Sequence, residues 1–223
     1  MGRHGVVADL GIATVGTRHV TYARAGRTIL DDVSIEARAG EVLAVTGPSG
    51  SGKSTLLALL AGLDAPDSGE IVVDGAPRGV GRREGFGLVL QGYGLVGMLT
   101  AAENVEVPLQ AAGRPREEIR ARARAALDAI GLGDLGPHLI EELSGGQQQR
   151  VAIARALVVE PLVLLADELT AELDARTQQV ALDLVFGRAD AGGIVVLATH
   201  DPHIADLADH EVHLRDGVLE VRR

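Results

Sequence analysis

The sequence predicts an α/β domain with a mainly parallel sheet, interrupted by a helical insertion. Three observations carry that prediction. A short apolar run over residues 41–46 leads into a glycine-rich loop and then a helix-like stretch over 54–61. The last third of the chain alternates strand-like apolar runs with helix-like segments. Between about Thr100 and Val159 the apolar residues fall at helical spacing.

Taken in order, Val33, Ile35 and Ala37 alternate with Ser34 and Glu36, the pattern of a half-buried strand. Arg38-Ala39-Gly40 turns the chain into the strand over 41–46. The helix over 54–61 stops at Gly62, residues 68–75 read as a strand ending in an Asp-Gly turn, and 86–90 read as a strand ending at Gln91. Ile119, Ala123, Leu127 and Ile130 then form an apolar helical stripe. Arg116, Arg120 and Arg124 form a second stripe, expected to be a solvated face, with Glu118 spaced to pair with Arg122. Strand 162–166, helix 174–188, strand 194–199, a short helix near 204–208 and a final hairpin around Asp216-Gly217 complete the chain.

At 223 residues the chain suits one domain, or one domain with a subdomain. Its apolar fraction of 46% and charged fraction of 23% are those of a globular protein. Tyr22, Phe86, Tyr93 and Phe186 are the only Phe, Tyr or Trp residues, so the core must be aliphatic. A net charge of −10 argues against broad nucleic-acid binding. The absence of cysteine excludes disulfides and thiolate metal sites. No apolar run approaches the ~18–20 residues of a membrane span, and no signal-peptide pattern opens the sequence, so the expectation is a cytosolic chain without direct membrane insertion.

Of twenty-one basic residues twenty are arginine, and the one lysine is Lys53. It lies in Gly47-Pro48-Ser49-Gly50-Ser51-Gly52-Lys53-Ser54-Thr55, a full match to the P-loop pattern G-x-x-x-x-G-K-[S/T]. Such a loop needs a compact point charge between phosphates, for which a planar guanidinium is too wide. Backbone N–H groups of the loop and the following helix face the phosphates, Lys53 reaches the β and γ oxygens, and Ser54 supplies a hydroxyl for Mg²⁺. Downstream, Leu162-Val163-Leu164-Leu165-Ala166-Asp167-Glu168 is an apolar strand ending in two carboxylates. Asp167 suits a Mg²⁺ ligand and Glu168 the group that orients or deprotonates an attacking water. His200/His203 and His210/His213 do not amount to a zinc site, lacking further ligands in a metal-binding pattern.

Leu143-Ser144-Gly145-Gly146-Gln147-Gln148-Gln149-Arg150 is a small-residue turn opening a helix over 151–158, a second anion-binding helix N-terminus. With this turn the chain resembles the ATP-binding-cassette (ABC) ATPases, whose signature motif reads L-S-G-G-Q. The resemblance covers nearly the whole chain. It implies a single domain, 1–223, with a RecA-like P-loop core (about 1–99 and 160–223). An antiparallel β subdomain and an inserted α-helical signature subdomain (about 100–159) would complete it. It also implies a head-to-tail dimer, in which Ser144, Gly145, Gly146 and Gln147 of one copy cap ATP held on residues 47–55 of the other. Tyr22 would stack on adenine, and Gln91 would touch Mg²⁺ and water as the Q-loop glutamine. His200 would contact the γ-phosphate, and Asp174 is similar to the D-loop aspartate.

The resemblance further implies ATP hydrolysis with Glu168, His200, Gln91 and Lys53 as catalytic residues. A separate integral-membrane permease would hold the chain at the inner face of the membrane. Residues 99–105, the triple glutamine 147–149 and Thr199-His200-Asp201-Pro202 are most similar to the lipoprotein-release, macrolide-export and cell-division group. A non-transport process such as cell-wall hydrolase gating, or a nucleotide-dependent scaffold, is the alternative. Two departures stand out. Leu169 replaces the usual proline of D-E-P-T, and Glu172 puts a carboxylate in the D-loop, either slowing hydrolysis or weakening closure.

Overall fold

The computed structural model describes residues 11–81, 84–170 and 172–221. β1 (Thr14–Arg24) and β2 (Arg27–Arg38) form a long antiparallel hairpin. Its two-residue turn, Ala25-Gly26, has φ of 50° and 77°, the left-handed pair that matches the strands' twist. Along β2, Val33, Ile35 and Ala37 are buried and Ser34 and Glu36 exposed, the alternation read from the sequence. β4 (Ser68–Val73) and β5 (Ala76–Pro77) extend the hairpin into a four-stranded antiparallel sheet of order β2-β1-β4-β5.

The second sheet is β10-β9-β3-β8-β7-β6. β3 (Val42–Thr46), β6 (Phe86–Val89), β7 (Val163–Asp167), β8 (Ile194–Ala198) and β9 (His210–Arg215) run parallel. β10 (Val218–Val221) closes one edge antiparallel. Every residue of β3, β7 and β8 is buried, because both faces of this sheet are covered. Strand pleating then divides the residues. Leu43, Val45, Val163 and Leu165 meet helix α1 (Lys53–Leu60) and the antiparallel sheet in one core. Val42, Ala44, Leu164 and Ala166 meet α4 (Gly145–Leu157), α5 (Ala175–Asp190) and α6 (Pro202–Asp206) in a second core.

A third core lies among α2 (Ala101–Ala111), α3 (Arg116–Ala129) and α4. The stripe of Ile119, Ala123, Leu127 and Ile130 is buried there, and Glu118 pairs with Arg122 at 3.3 Å. Arg122 also reaches Glu160 at 2.7 Å, beyond the end of α4. Helix α4 serves two cores at once: Val151 and Ala154 face the helices, while Ala152, Ile153 and Ala156 face the sheet. Among the described residues no helix is long and apolar enough to cross a membrane.

Candidate functional site

The glycine-rich loop leaves the C-terminal end of β3 and returns as α1. Gly47, Gly50 and Gly52 have φ of 143°, 79° and 107°. At Gly52 a Cβ would also lie 2.8 Å from the Leu30 side chain and 2.9 Å from the Ile29 carbonyl, so the loop fits against β2 only as glycine. Gly52 caps α1 without a side chain, so the free N–H groups of the first turn are left for a ligand. Lys53 is 6% exposed. Its Nζ donates to the carbonyls of Gly47 at 2.9 Å and Pro48 at 3.1 Å, which poises it on the loop.

Asp167 ends β7 and is 4% exposed. Burial pushes its carboxyl above the usual carboxylate range, the Glu168 charge adds to that, and the Ser54 hydroxyl and Lys53 oppose it. Asp167 Oδ1 is buried with no hydrogen-bond partner. An orphaned carboxylate oxygen beside a serine hydroxyl is a donor set of hard oxygens, and these residues fit Mg²⁺ held jointly with a nucleotide. Ser51 Oγ is likewise buried without a partner, inside the loop itself.

Glu168 follows with φ of 51°, a left-handed backbone that a non-glycine residue adopts only when its surroundings hold it there. Its N–H donates to the Ala198 carbonyl at 3.0 Å, and its side chain, 15% exposed, meets His200 Nδ1 at 2.8 Å. His200 shares a cavity of about 460 Å³ with Gly47 and Pro48. Lys53, Ser54, Asp167, Glu168 and His200 therefore converge at the C-terminal ends of β3, β7 and β8, where parallel α/β sheets place ligands. Gln91 is exposed just past the end of β6, Ser49 lies within the loop and Thr55 in the first turn of α1.

The signature turn is built differently. Ser144 is the N-cap of α4: its Oγ accepts from the Gln147 N–H at 3.3 Å, and Gln147 Oε1 accepts from the Ser144 N–H at 2.8 Å. That reciprocal cap starts the helix at Gly145, six residues before the sequence predicts, and overrides the poor helix propensity of Gly145 and Gly146. The Glu172 carboxylate lies against Gly145, with Oε2 only 2.6 Å from where a Cβ would stand.

Two expected residues are engaged elsewhere. Tyr22 is 9% exposed within the core between the sheets, and its hydroxyl donates to Asp64 at 2.6 Å. In the nucleotide-free structure its ring thus packs between the sheets and does not line the cleft beside the phosphate loop. The cleft of about 310 Å³ beside the phosphate loop is walled instead by Arg27 and Ile29 of β2 and five residues between Gly50 and Thr55. Asp174 caps α5 by accepting from the Arg176 and Thr177 N–H groups, and the Thr177 bonds hold its carboxyl below the usual range. Within one copy it is a helix cap.

The structure adds residues that pattern reading missed. Gln149, 3% exposed, donates to the Glu168 carbonyl at 3.0 Å and accepts from the Glu172 N–H at 3.1 Å, tying α4 to both loops. Arg155, further along α4, donates to the carbonyls of Tyr93 and Gly94 just past Gln91. The only sequence signal for them was polar residues on a helix otherwise buried. Leu169 is buried in the core beneath α5, so it replaces proline as a packing residue.

A family model described as ABC transporter matches residues 30–171. The chain is 46% identical over 203 residues to a macrolide export ATP-binding/permease protein MacB 1/2 of Paracoccus denitrificans, covering 87% of this chain and 30% of that protein. It thus spans about a third of the length of that relative. An uncharacterized ABC transporter ATP-binding protein of Thermotoga maritima is 43% identical over 86% of this chain and 85% of its own length. The fold superposes with a TM-score of 0.86 and 36% identity on the dimeric, post-hydrolysis ATP-binding cassette MJ0796 bound to ADP and Pi, covering 94% of this chain and 99% of that one. With a phosphate loop, paired carboxylates and signature helix in one architecture, the chain belongs to the ABC transporter family as its ATP-binding, ATP-hydrolysing cassette.

Proposed function

We propose that this cassette closes head-to-tail on a second copy around two Mg-ATP and drives a separate membrane permease. The observation that carries the reading is that the chain presents two anion-binding helix starts. Lys53 opens α1 in the phosphate cleft, whereas Ser144 to Gly146 open α4, and no residue of that second turn lines the cleft. A turn of this kind is accounted for when it caps the nucleotide of a partner copy. The solved structures of the MJ0796 cassette are dimeric, one of them bound to ADP and Pi, which supports self-association of this chain.

In the closed dimer, loop N–H groups and Lys53 would hold the phosphates, and Ser54, Asp167 and Gln91 would hold the metal. Mg²⁺, when bound, neutralises charge on the transferring phosphoryl group. Glu168 would orient and deprotonate the water, its contact with His200 Nδ1 holding the carboxylate in place. Ser144 and Asp174 of the partner copy complete the wall. Past Gln91, Val96 is 44% exposed and Met98 88%, with Val107 of α2 at 41%. Apolar side chains left in water there support docking of a permease segment, which would hold the chain peripherally at the cytoplasmic face.

Replacing Glu168 with Gln tests the hydrolytic half of this reading. Steady-state turnover should fall by at least about 10²-fold while ATP binding persists, because a general base contributes about 10²–10⁴-fold. Size-exclusion chromatography should then show an ATP-bound dimer, and normal turnover in that variant would falsify the assignment of Glu168.

A further inference from the structure

β3 is apolar until its last residue, Thr46, one position before the phosphate loop begins. In the parallel pairing of β3 with β9, Thr46 lies beside His213. Val212 and Leu214 belong to the core between the sheets, so strand alternation puts Glu211 and His213 on the other face, with the Thr46 side chain. A buried hydroxyl needs partners, and Thr46 is 8% exposed. Its Oγ1 lies 2.7 Å from Glu211 Oε1, 2.9 Å from His213 Nδ1 and 3.3 Å from the Val212 carbonyl oxygen. A hydroxyl has one hydrogen and two lone pairs, whereas carboxylate and carbonyl oxygens only accept. The hydrogen therefore goes to Glu211, the nearer acceptor, and His213 Nδ1–H donates to Thr46. Donor counting thus sets a relay running from His213 through Thr46 to Glu211.

The neighbouring residue ties this relay to the loop. Gly47 packs so closely on β9 that a Cβ there would collide with the Leu214 carbonyl. Its own carbonyl accepts from Lys53 Nζ at 2.9 Å. Pinning Thr46 to β9 therefore fixes Gly47, and Gly47 fixes the one cation of the loop. Resting on the phosphate-loop reading above, we propose that Thr46, His213 and Glu211 are positioning residues for nucleotide binding. They act through the Gly47 carbonyl on the Lys53 ammonium, not on the nucleotide itself.

Calorimetric titration of the full chain with Mg-ATP tests the proposal. Thr46→Val keeps the shape and loses the hydroxyl, and His213→Leu loses the donor. Each should weaken binding about tenfold, the loss expected for a hydrogen bond that ends on a charged group. Thr46→Ser keeps the hydroxyl, and His213→Asn offers an amide N–H in place of Nδ1–H, so both should bind as the parent does. A loss of stability alone would not be reversed in this pattern. The double variant Thr46→Val/His213→Leu should again lose only about tenfold, because the two bonds form one relay. Should Thr46→Val fail to fold, the His213 pair carries the same test. Parental affinity in Thr46→Val or His213→Leu, absence of rescue in Thr46→Ser or His213→Asn, or an additive loss of about a hundredfold in the double variant would each overturn the relay. Lys53→Ala separates the two levels: if that variant binds Mg-ATP as the parent does, the phosphate-site reading itself fails, whatever Thr46 does.

Discussion

Asp167 is held ready for a cation at the expense of the nucleotide-free molecule. Burial raises its carboxyl, so the folded state binds a proton more tightly than the unfolded one. Stability therefore falls as pH rises from the ordinary aspartate range through the raised value. Asp167→Asn should raise the Tm of the nucleotide-free protein at pH 7 by about 2–4 °C, the shift expected for about 1 kcal/mol in a chain of this size. That gain should vanish in acid, where the wild-type carboxyl is already protonated; a melting curve with no gain at pH 7 contradicts the account. Glu172 acts in the opposite place. Its carboxylate lies against Gly145, where the phosphate of a partner's nucleotide would arrive; burial raises the Tyr93 hydroxyl above its usual range and the Glu172 charge adds to that. Of the two effects the sequence left open, this position favours weakened closure. Glu172→Gln should form the ATP-driven dimer at about fivefold lower ATP, the effect of about 1 kcal/mol of like-charge repulsion. An unchanged ATP dependence in sedimentation velocity would remove Glu172 from the closure step.

At the scale of elements, helix α4 links the parts of the site. Its start is capped by Ser144 and Gln147, its middle ties Glu168 to Glu172 through Gln149, and Arg155 holds the segment after Gln91. Ser144 thus has a cap role within its own copy and a phosphate role toward the partner, which one substitution separates. Asp is as good an N-cap as Ser, but its charge repels an incoming phosphate. Ser144→Asp should melt within about 2 °C of the parent yet lose ATP-driven dimerisation; dimerisation at parental ATP would sink the phosphate role. The same helix shows what the sequence can and cannot tell. Contiguous motifs were legible because local backbone chemistry defines them: the loop around Lys53, the strand ending in Asp167, and the Ser144 turn. β1 was not, because register shifts after Thr17 and Val20 break the alternation that identifies a strand. Which face Tyr22 takes is likewise set by pairing rather than local pattern, and here pairing turns its ring toward the core. Gln149 and Arg155 act through contacts between elements distant in sequence, which no local pattern encodes.

For the whole molecule, three aliphatic cores place the phosphate cleft at one end of the parallel sheet and keep the signature turn out of that cleft. The central claim is that one copy cannot complete its own site. The most direct measurement counts nucleotides occluded per dimer in a Glu168→Gln background, using chains that carry Lys53→Ala or Ser144→Arg. Either chain alone forms dimers with no intact site, since each shared site then lacks Lys53 or Ser144. Mixing the two unites the intact loop of one with the intact turn of the other, and the account predicts one occluded ATP per mixed dimer. Two occluded ATP per dimer from the Ser144→Arg chain alone would mean that each copy closes its own site, and would contradict the shared one.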